Sequence, residues 1–317
     1  MSMRQATGGG GASPAPHGVA TTETEAWAEC EDGNIAVFAQ YPARPVADSY
    51  RVVVLCHGLG GDHRGYAQLG AHLASHGYVV VHPQFLDSRS IVAAGRAHDD
   101  AVGSGHIDEA LRSMLFSPEH WVSRVTRVNA VIGSLADQTH LPMSLEGDGV
   151  IIAGHSYGAY TAQLVLGARL FGTGLDQSRF RNAAVAGGVL LSPQGSGDRG
   201  LTPDSWRSVT LPLLVVTATN DRGPHGEGLS WRREPFDAAQ SDLKHLAVAR
   251  GSDHFLGGIP ATSDAASVGT DARVRDSISV LALAFANRVC GDLDAGAWLA
   301  SGPFPEVFDH EHVAANV

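Results

Sequence analysis

Short, continuous apolar runs recur along the chain, separated by segments in which apolar residues return every three or four positions. Runs without polar alternation are typical of strands buried on both faces. The strand-like segments cover residues 34–42, 51–61, 78–83, 149–153, 187–192, 211–219 and 244–250. The segments with helical spacing, which predict amphipathic helices, cover residues 64–77, 121–135, 160–170 and 274–290.

This alternation of strands and helices predicts βαβ units. We therefore expect an α/β fold with a mostly parallel central sheet and helices on both faces. Residues 87–120 are rich in small and charged residues and predict loops with one short helix. Because sites in such folds form where loops leave the carboxyl ends of strands, the glycine-rich loops after strands are the places to look for chemistry.

The first residues differ in composition from the remainder. Residues 1–21 are rich in Gly, Ala, Ser and Pro, which predicts a flexible leader, and residues 22–317 have the length of a single domain. The leader has no apolar segment of the secretory type, and no later run is long enough for a transmembrane helix. We expect a cytoplasmic protein; a secreted protein whose signal peptide had been removed would share these features.

Charge and cysteine usage exclude some classes of function. The formal net charge is −11, and Lys244 is the only lysine. Nucleic-acid binding depends on clustered Lys and Arg, so a nucleic-acid partner is not expected. Three cysteines are too few for a disulfide framework. Cys56 lies inside an apolar run and fits a small buried hydrophobic residue, whereas a bridge between Cys30 and Cys290 is left open.

The sequence Gly-His-Ser-Tyr-Gly, residues 154–158, places Ser156 between a predicted strand and a predicted helix. A serine on such a sharp turn can present its hydroxyl as a nucleophile, and the two glycines relieve collisions with the neighbouring strand and helix. The alternative is an ordinary glycine turn in which Ser156 caps the following helix. That alternative requires no base or acid at later strand ends.

A base and an acid do follow Ser156 in the chain. A serine hydroxyl needs a histidine to take its proton, and the histidine needs a carboxylate to orient it. Asp221 ends one predicted strand and His254 ends the next, in the order expected for a strand-turn-helix nucleophile. Solvated loop residues are the alternative for both. The rivals, which are placed less favourably relative to the strands, are Asp198, Asp204, Asp253, His225 and His245.

Backbone N–H groups next to Ser156 complete the candidate chemistry. Acyl transfer passes through an oxyanion that such donors stabilise. The residue after the nucleophile, Tyr157, supplies one donor, and the glycine loop at residues 56–61 supplies the other, for which we select Leu59. A plain glycine turn between strand and helix would explain the same glycines but not the preceding His57.

Together these motifs resemble the α/β-hydrolase superfamily, over residues 52–299. Within it the chain is similar to serine esterases grouped with dienelactone hydrolase-like proteins, plasma platelet-activating-factor acetylhydrolase and chlorophyllase. The resemblance implies Ser156 as nucleophile, His254 as base, Asp221 as acid and the N–H groups of Leu59 and Tyr157 as oxyanion donors. Dienelactone hydrolases use cysteine where this chain has Ser156, so their specific activity is not expected. Ala159 stands where related esterases often have a further glycine.

We therefore expect a carboxylic ester hydrolase that forms an acyl-enzyme on Ser156, without cofactor or metal. His310 and His312 near the C-terminus are too few to form a zinc site by themselves. The resemblance allows lipid, short aliphatic, polyester or chlorophyll-like esters, and the absence of a long lid insertion before Asp221 favours an open cleft for short or extended acyl groups. The alternatives are an acyltransferase with the same triad and a non-catalytic ligand-binding member of the fold.

Overall fold

The computed structural model describes most of the chain beyond the predicted leader. The described residues are 20–31, 33–44, 47, 49–95, 104–135, 144–145, 149–261 and 270–314. The leader predicted for residues 1–21 lies outside this set except at its end, where Thr21 already begins the first strand. Thr21, which composition assigns to the leader, thus belongs to a strand.

The described residues form a nine-stranded sheet and a small two-stranded one. The strands are β1 (Thr21–Ala28), β2 (Ile35–Pro42), β3 (Ser49–Tyr50), β4 (Val52–Cys56), β5 (Val79–Pro83), β6 (Ser144–Leu145), β7 (Val150–His155), β8 (Val185–Leu191), β9 (Leu213–Ala218), β10 (Leu243–Ala249) and β11 (Phe308–Ala314). The large sheet has the order β1-β2-β5-β4-β7-β8-β9-β10-β11, and β3 pairs with β6. The six strands from β5 to β10 in this order are parallel, which confirms the predicted α/β class.

Helices connect the parallel strands and cover both faces of the sheet. Their bounds are α1 (Ala67–Ser75), α2 (Arg89–Gly95), α3 (Ser104–Leu115), α4 (Pro118–Ser134), α5 (Tyr157–Leu166), α6 (Leu229–Arg232), α7 (Glu234–Ala238), α8 (Ala272–Val289) and α9 (Leu293–Ala300). One apolar core packs α4 and α5 against the sheet, and a second packs α1 and α8 against the opposite face.

The central strands divide their side chains between these two cores. In β4, Val54 and Cys56 belong to the core with α4 and α5, whereas Val53 and Leu55 belong to the core with α1 and α8. Successive side chains of a strand point to opposite faces. Both faces of β4 are buried, and this is why the strand reads as an unbroken apolar run.

The structure corrects several local predictions. The helix predicted at residues 160–170 begins at Tyr157 and ends at Leu166, because Gly167 adopts the left-handed conformation (φ 110°) that terminates helices. The strands β1 and β11 carry runs of consecutive polar residues and were not predicted; both pair antiparallel at the sheet edges. No disulfide bond joins Cys30 and Cys290, both of which lie in the described part of the chain.

Four histidines are buried within the described fold: His57, His82, His155 and His245. Burial penalises the charged imidazole and lowers the pKa of each, to about 4 for His57 and His245 and to about 3 for His82 and His155. In the unfolded chain a histidine binds a proton below about pH 6.5. The unfolded state therefore gains protons before the folded state does as pH falls.

This difference predicts that acid begins to destabilise the protein at a pH well above the range in which carboxyl groups titrate. The stability that each buried neutral histidine contributes to the free energy of unfolding is fully present above about pH 6.5. It is lost as the pH falls toward the lower pKa of that histidine in the folded state. Substitution His82→Leu removes one such group, whose two ring nitrogens have no hydrogen-bond partner among the described residues. We expect the pH slope of the unfolding free energy between pH 6 and pH 5 to decrease by about 1.4 kcal/mol per pH unit.

Urea unfolding followed by tryptophan fluorescence at pH 7, 6 and 5 measures this slope. The matched control is His106→Leu, which replaces an exposed histidine on α3 and should leave the slope unchanged. An identical slope for the wild-type and His82→Leu proteins would contradict the prediction.

Candidate active site

Ser156 lies on the turn between β7 and α5 in a backbone conformation that few non-glycine residues adopt. Its φ is 55° and its ψ is −120°. The turn is tight because α5 begins directly against β4: a Cβ atom on Gly158 would overlap the Cys56 carbonyl, and one on Gly154 would overlap the Gly158 carbonyl. Only glycine allows this approach, and the approach keeps Ser156 raised at the carboxyl edge of the sheet.

The Ser156 hydroxyl does not cap α5, because its side chain makes no capping hydrogen bond. Instead Oγ lies 2.9 Å from Nε2 of His254. Nδ1 of His254 lies 2.8 Å from Oδ1 of Asp221. Asp221 follows β9 and His254 follows β10, so the parallel sheet brings both to the edge where β7 ends. The structure thus places these three sequence-selected residues in one hydrogen-bonded chain.

Asp221 is fully buried, and its charge is maintained by specific partners. Burial alone would raise the pKa of Asp221, but the hydrogen bond from His254 and the charge of Arg232 outweigh it and lower the pKa to about 2. Thr217 on β9 donates to Oδ2 at 2.9 Å. Because the carboxylate accepts a hydrogen bond from the Nδ1–H of His254, Nε2 is left to accept a hydrogen bond from Ser156.

Arg232 on α6 links the loops that follow three neighbouring strands. Its guanidinium is 2.9 Å from Oδ1 of Asp221 and 3.1 Å from Nδ1 of His254. It also donates to the carbonyls of Ser192, Pro193 and Arg222 at 2.8–3.0 Å. A buried guanidinium is stabilised only when its donors are paired in this way. Arg232 therefore fixes the position of the acid relative to the loops around it.

The rival acids and bases lie elsewhere or are already engaged. Asp198 pairs with His225 at 3.0 Å, and Asp204 pairs with Arg207 at 2.6 Å. Asp253 accepts from the N–H of Phe255 within its own turn. His245 lies within β10, which is next to the edge strand β11, and stacks on His312 with ring centroids 5.7 Å apart.

The two selected oxyanion donors, Leu59 and Tyr157, belong to backbone segments next to Ser156. Tyr157 is the first residue of α5, so its N–H has no acceptor within the helix. The Leu59 loop runs beside the nucleophile, since a Cβ atom on Gly58 would lie 3.4 Å from Cβ of Ser156. Among the described backbone groups, none accepts a hydrogen bond from the Leu59 N–H.

Buried side chains that sequence reasoning missed hold the Leu59 loop in place. His57 accepts from the N–H of Phe85 at 3.2 Å through Nε2 and donates to the Gly58 carbonyl at 2.8 Å through Nδ1. Arg124 on α4 donates to the His57 carbonyl and binds both carboxylate oxygens of Asp87 at 2.7 Å. The Gly60 N–H donates to the Asp87 carbonyl at 2.9 Å. These hydrogen bonds hold the Leu59 loop from its buried side.

A second buried chain of hydrogen bonds joins the Leu59 loop to the loop that carries His254. Nε2 of His155 is 2.7 Å from the His254 carbonyl, so this nitrogen must carry the proton. Nδ1 of His155 therefore accepts from the Tyr66 hydroxyl at 2.9 Å. The Tyr66 oxygen in turn accepts from the Gly58 N–H at 3.3 Å. The backbone groups at the two ends of this chain of hydrogen bonds determine which group donates in each bond.

A hydroxyl that donates to an imidazole whose other nitrogen is hydrogen-bonded to a carboxylate can be activated as a nucleophile.

Across the described ranges, no group of three or more His, Cys, Asp or Glu side chains converges as metal ligands would. None of the helices described combines the length and apolar character needed to cross a bilayer.

The Tyr66–His155 chain generates a prediction for the nucleophilicity of Ser156. Substitution Tyr66→Phe leaves Nδ1 of His155 buried without a donor, which costs about 1–3 kcal/mol of stability. Because the loops of Leu59 and His254 lose their shared support, labelling of Ser156 by a fluorophosphonate probe should slow by about tenfold. Intact-protein mass spectrometry over time measures the labelling rate.

The matched control is Tyr78→Phe. The Tyr78 hydroxyl is also buried and donates to Asn287 at 2.9 Å on α8, away from Ser156. This variant should lose stability without any change in the labelling rate. If the Tyr66→Phe variant were labelled as fast as the wild-type protein, the Tyr66–His155 chain of hydrogen bonds would have no role in positioning Ser156.

One comparison with known proteins found a match. The family model described as Chlorophyllase matches residues 21–178, the part of the chain that contains the Leu59 loop and Ser156 but not Asp221 or His254. None of the curated proteins matches the chain. The family match indicates a hydrolase that acts on esters. The sheet, which is mostly parallel and flanked by helices, is an α/β fold, and over residues 21–178 the chain is similar to the chlorophyllase family, a family of the α/β-hydrolase superfamily.

Proposed function

We propose that this protein hydrolyses carboxylic esters through an acyl-enzyme on Ser156. The observation that carries the proposal is the hydrogen-bonded chain from Ser156 Oγ to His254 Nε2 (2.9 Å) and from His254 Nδ1 to Asp221 Oδ1 (2.8 Å). The match to an ester-cleaving hydrolase family supports the same conclusion.

In the first half-reaction, Oγ of Ser156 attacks the ester carbonyl carbon while Nε2 of His254 takes the hydroxyl proton. The carbonyl oxygen becomes an oxyanion and accepts hydrogen bonds from the N–H groups of Leu59 and Tyr157. When the tetrahedral intermediate collapses, the bond to the alcohol oxygen breaks and His254 returns the proton to it. The alcohol leaves, and the acyl group remains on Ser156.

Water completes the cycle by the same steps in reverse order. His254 takes a proton from a water molecule, the hydroxyl oxygen attacks the acyl carbon, and the Ser156–acyl bond breaks with return of the proton to Oγ. The buried Asp221 carboxylate stabilises the imidazolium that forms in each half-reaction. Arg232 and Thr217 keep that carboxylate charged and oriented, so they are positioning residues.

The proposed substrates are esters with short or extended acyl groups. The resemblance to related esterases allows lipid, short aliphatic, polyester and chlorophyll-like esters. Alternative acceptors in place of water would use the same residues, with an alcohol or amine attacking the acyl-enzyme.

The test is hydrolysis of 4-nitrophenyl esters with acyl chains of increasing length. We expect turnover that is highest for short acyl groups and that decreases by several orders of magnitude in Ser156→Ala, because the nucleophile is lost. The control Ser301→Ala changes an exposed serine whose hydroxyl bonds the Trp298 carbonyl on α9, and it should keep wild-type activity.

Three results would contradict parts of this proposal. Activity that persists in Ser156→Ala would exclude Ser156 as the nucleophile. A rate maximum at long acyl chains would exclude the short-acyl preference. Absence of turnover with every ester would favour a ligand-binding role for the same site.

A further inference from the structure

Arg199 lies in the loop that follows β8, at the same edge of the sheet as Ser156. The residue is 6% exposed. Its backbone is fixed, since its carbonyl accepts from the Tyr160 hydroxyl at 2.7 Å and the next residue, Gly200, accepts from the N–H of Phe171 at 2.8 Å. The position of this side chain is therefore set by the fold and not by a loose surface loop.

The Arg199 guanidinium is surrounded by aromatic rings rather than by carboxylates. Its central carbon is 5.7 Å from the ring centroid of Phe116, 6.0 Å from that of Tyr160 and 5.9 Å from that of Trp231. Among the residues that the structure describes, no acceptor bonds the buried Nε, and no carboxylate lies within 4.0 Å of the guanidinium. The charge of the Arg199 guanidinium is thus largely buried without an anion paired to it.

The other two buried arginines of the site have the carboxylate partner that Arg199 lacks, although the Nε of Arg232 is likewise without an acceptor among the described residues. Arg124 binds the Asp87 carboxylate, and Arg232 binds that of Asp221. A buried charge is costly when it has no partner and much less so when it is paired and hydrogen-bonded. Burial lowers the pKa of Arg199, as expected for a guanidinium that has lost hydration.

The carboxylates nearest to Arg199 are committed to other groups. Asp198 pairs with His225 at 3.0 Å. Glu227 accepts from the N–H of His225 at 2.8 Å, and Glu234 accepts from the N–H of Ser196 at 2.6 Å. These acids lower the local potential without contacting the guanidinium. The donors of Arg199 are left for a group from outside the described chain.

Two of the rings around Arg199 belong to elements that also hold residues of the candidate site. Tyr160 is one turn along α5 from Ser156, and its N–H donates to the Ser156 carbonyl at 3.0 Å. Trp231 precedes Arg232, which contacts Asp221 and His254. Phe116, at the end of α3, is only partly buried and opens this aromatic cage toward solvent.

From these observations we infer that the ester cleaved at Ser156 carries a carboxylate, which pairs with Arg199. This inference rests on the proposed function and narrows its substrate class to half-esters of dicarboxylic acids and esters of carboxylated alcohols. A guanidinium presents a planar fork that matches a carboxylate in two parallel hydrogen bonds. A phosphate dianion would need further cationic donors, and the nearby Arg232 is already bound to Asp221.

The experiment compares charged and neutral esters of the same size. On the acyl side, 4-nitrophenyl half-esters of adipic, pimelic and suberic acids are compared with the corresponding mixed methyl esters. On the alcohol side, 4-acetoxybenzoate is compared with its methyl ester. For each pair, the ratio of kcat/KM for the charged ester to that for the neutral ester is measured. We expect a ratio well above one for at least one pair in the wild-type protein.

Three variants then assign the preference to its cause. In Arg199→Met the ratio should fall by at least about tenfold, through loss of the paired hydrogen bonds, and Arg199→Lys should retain an intermediate ratio because the charge remains. The matched control is Arg207→Met, which removes a 73% exposed arginine from the same loop and should leave the ratio unchanged. Circular dichroism establishes that the variants are folded.

The outcomes separate this inference from the proposed function. If neutral esters are cleaved but the ratio is near one, or if Arg199→Met lowers both esters equally, the carboxylate site is wrong while the esterase function stands. If no ester is cleaved, calorimetry with monomethyl adipate decides. Binding that is lost in Arg199→Met would support the carboxylate site without the esterase function, and absence of binding would overturn both.

Discussion

The close approach of Gly158 to the Cys56 carbonyl is the constraint on which the site depends. It allows α5 to begin directly against the end of β4, and the chain can meet it only if Ser156 takes its strained conformation with φ 55°. The same approach places the Leu59 loop, which continues from Cys56, beside Ser156. One backbone contact thus positions both the candidate nucleophile and one candidate oxyanion donor.

Buried charge organises the rest of the site around that turn. Arg124 supports the Leu59 loop through the His57 carbonyl and Asp87. Arg232 joins the loops after β8 and β9 through carbonyls and Asp221, and it lies 3.1 Å from Nδ1 of His254 in the loop after β10. Buried ion pairs add little net stability compared with apolar packing, but they determine geometry because each donor must meet its acceptor. The site can therefore be assembled from loops and still hold distances of 2.8–2.9 Å.

Much of the fold was readable because strands buried on both faces give unbroken apolar runs. The edge strands β1 and β11 were not, since only part of each is covered and each contains a run of consecutive polar residues, which is typical of neither a buried nor a half-buried strand. Ser156, Asp221 and His254 could be selected from their order and from the strands before them. Their catalytic roles, the oxyanion roles of Leu59 and Tyr157, and the single-domain organisation remain predictions.

The supporting residues could not be found in the same way. Arg124 and Asp87 are 37 positions apart, and Tyr66 and His155 are 89 apart. No local periodicity encodes such pairs, because only the folded sheet brings them together. His155 stood within the quoted motif, yet its role became visible only from the His254 carbonyl that it bonds.

The most direct test of the account is covalent trapping of the acyl-enzyme. A 4-nitrophenyl carbamate transfers a carbamoyl group that serine hydrolases release slowly, so the intermediate can be digested and located by mass spectrometry. We expect one carbamoyl group per chain, on Ser156, formed together with one equivalent of 4-nitrophenol. Release of 4-nitrophenol without an adduct on Ser156, or an adduct on another residue, would contradict it.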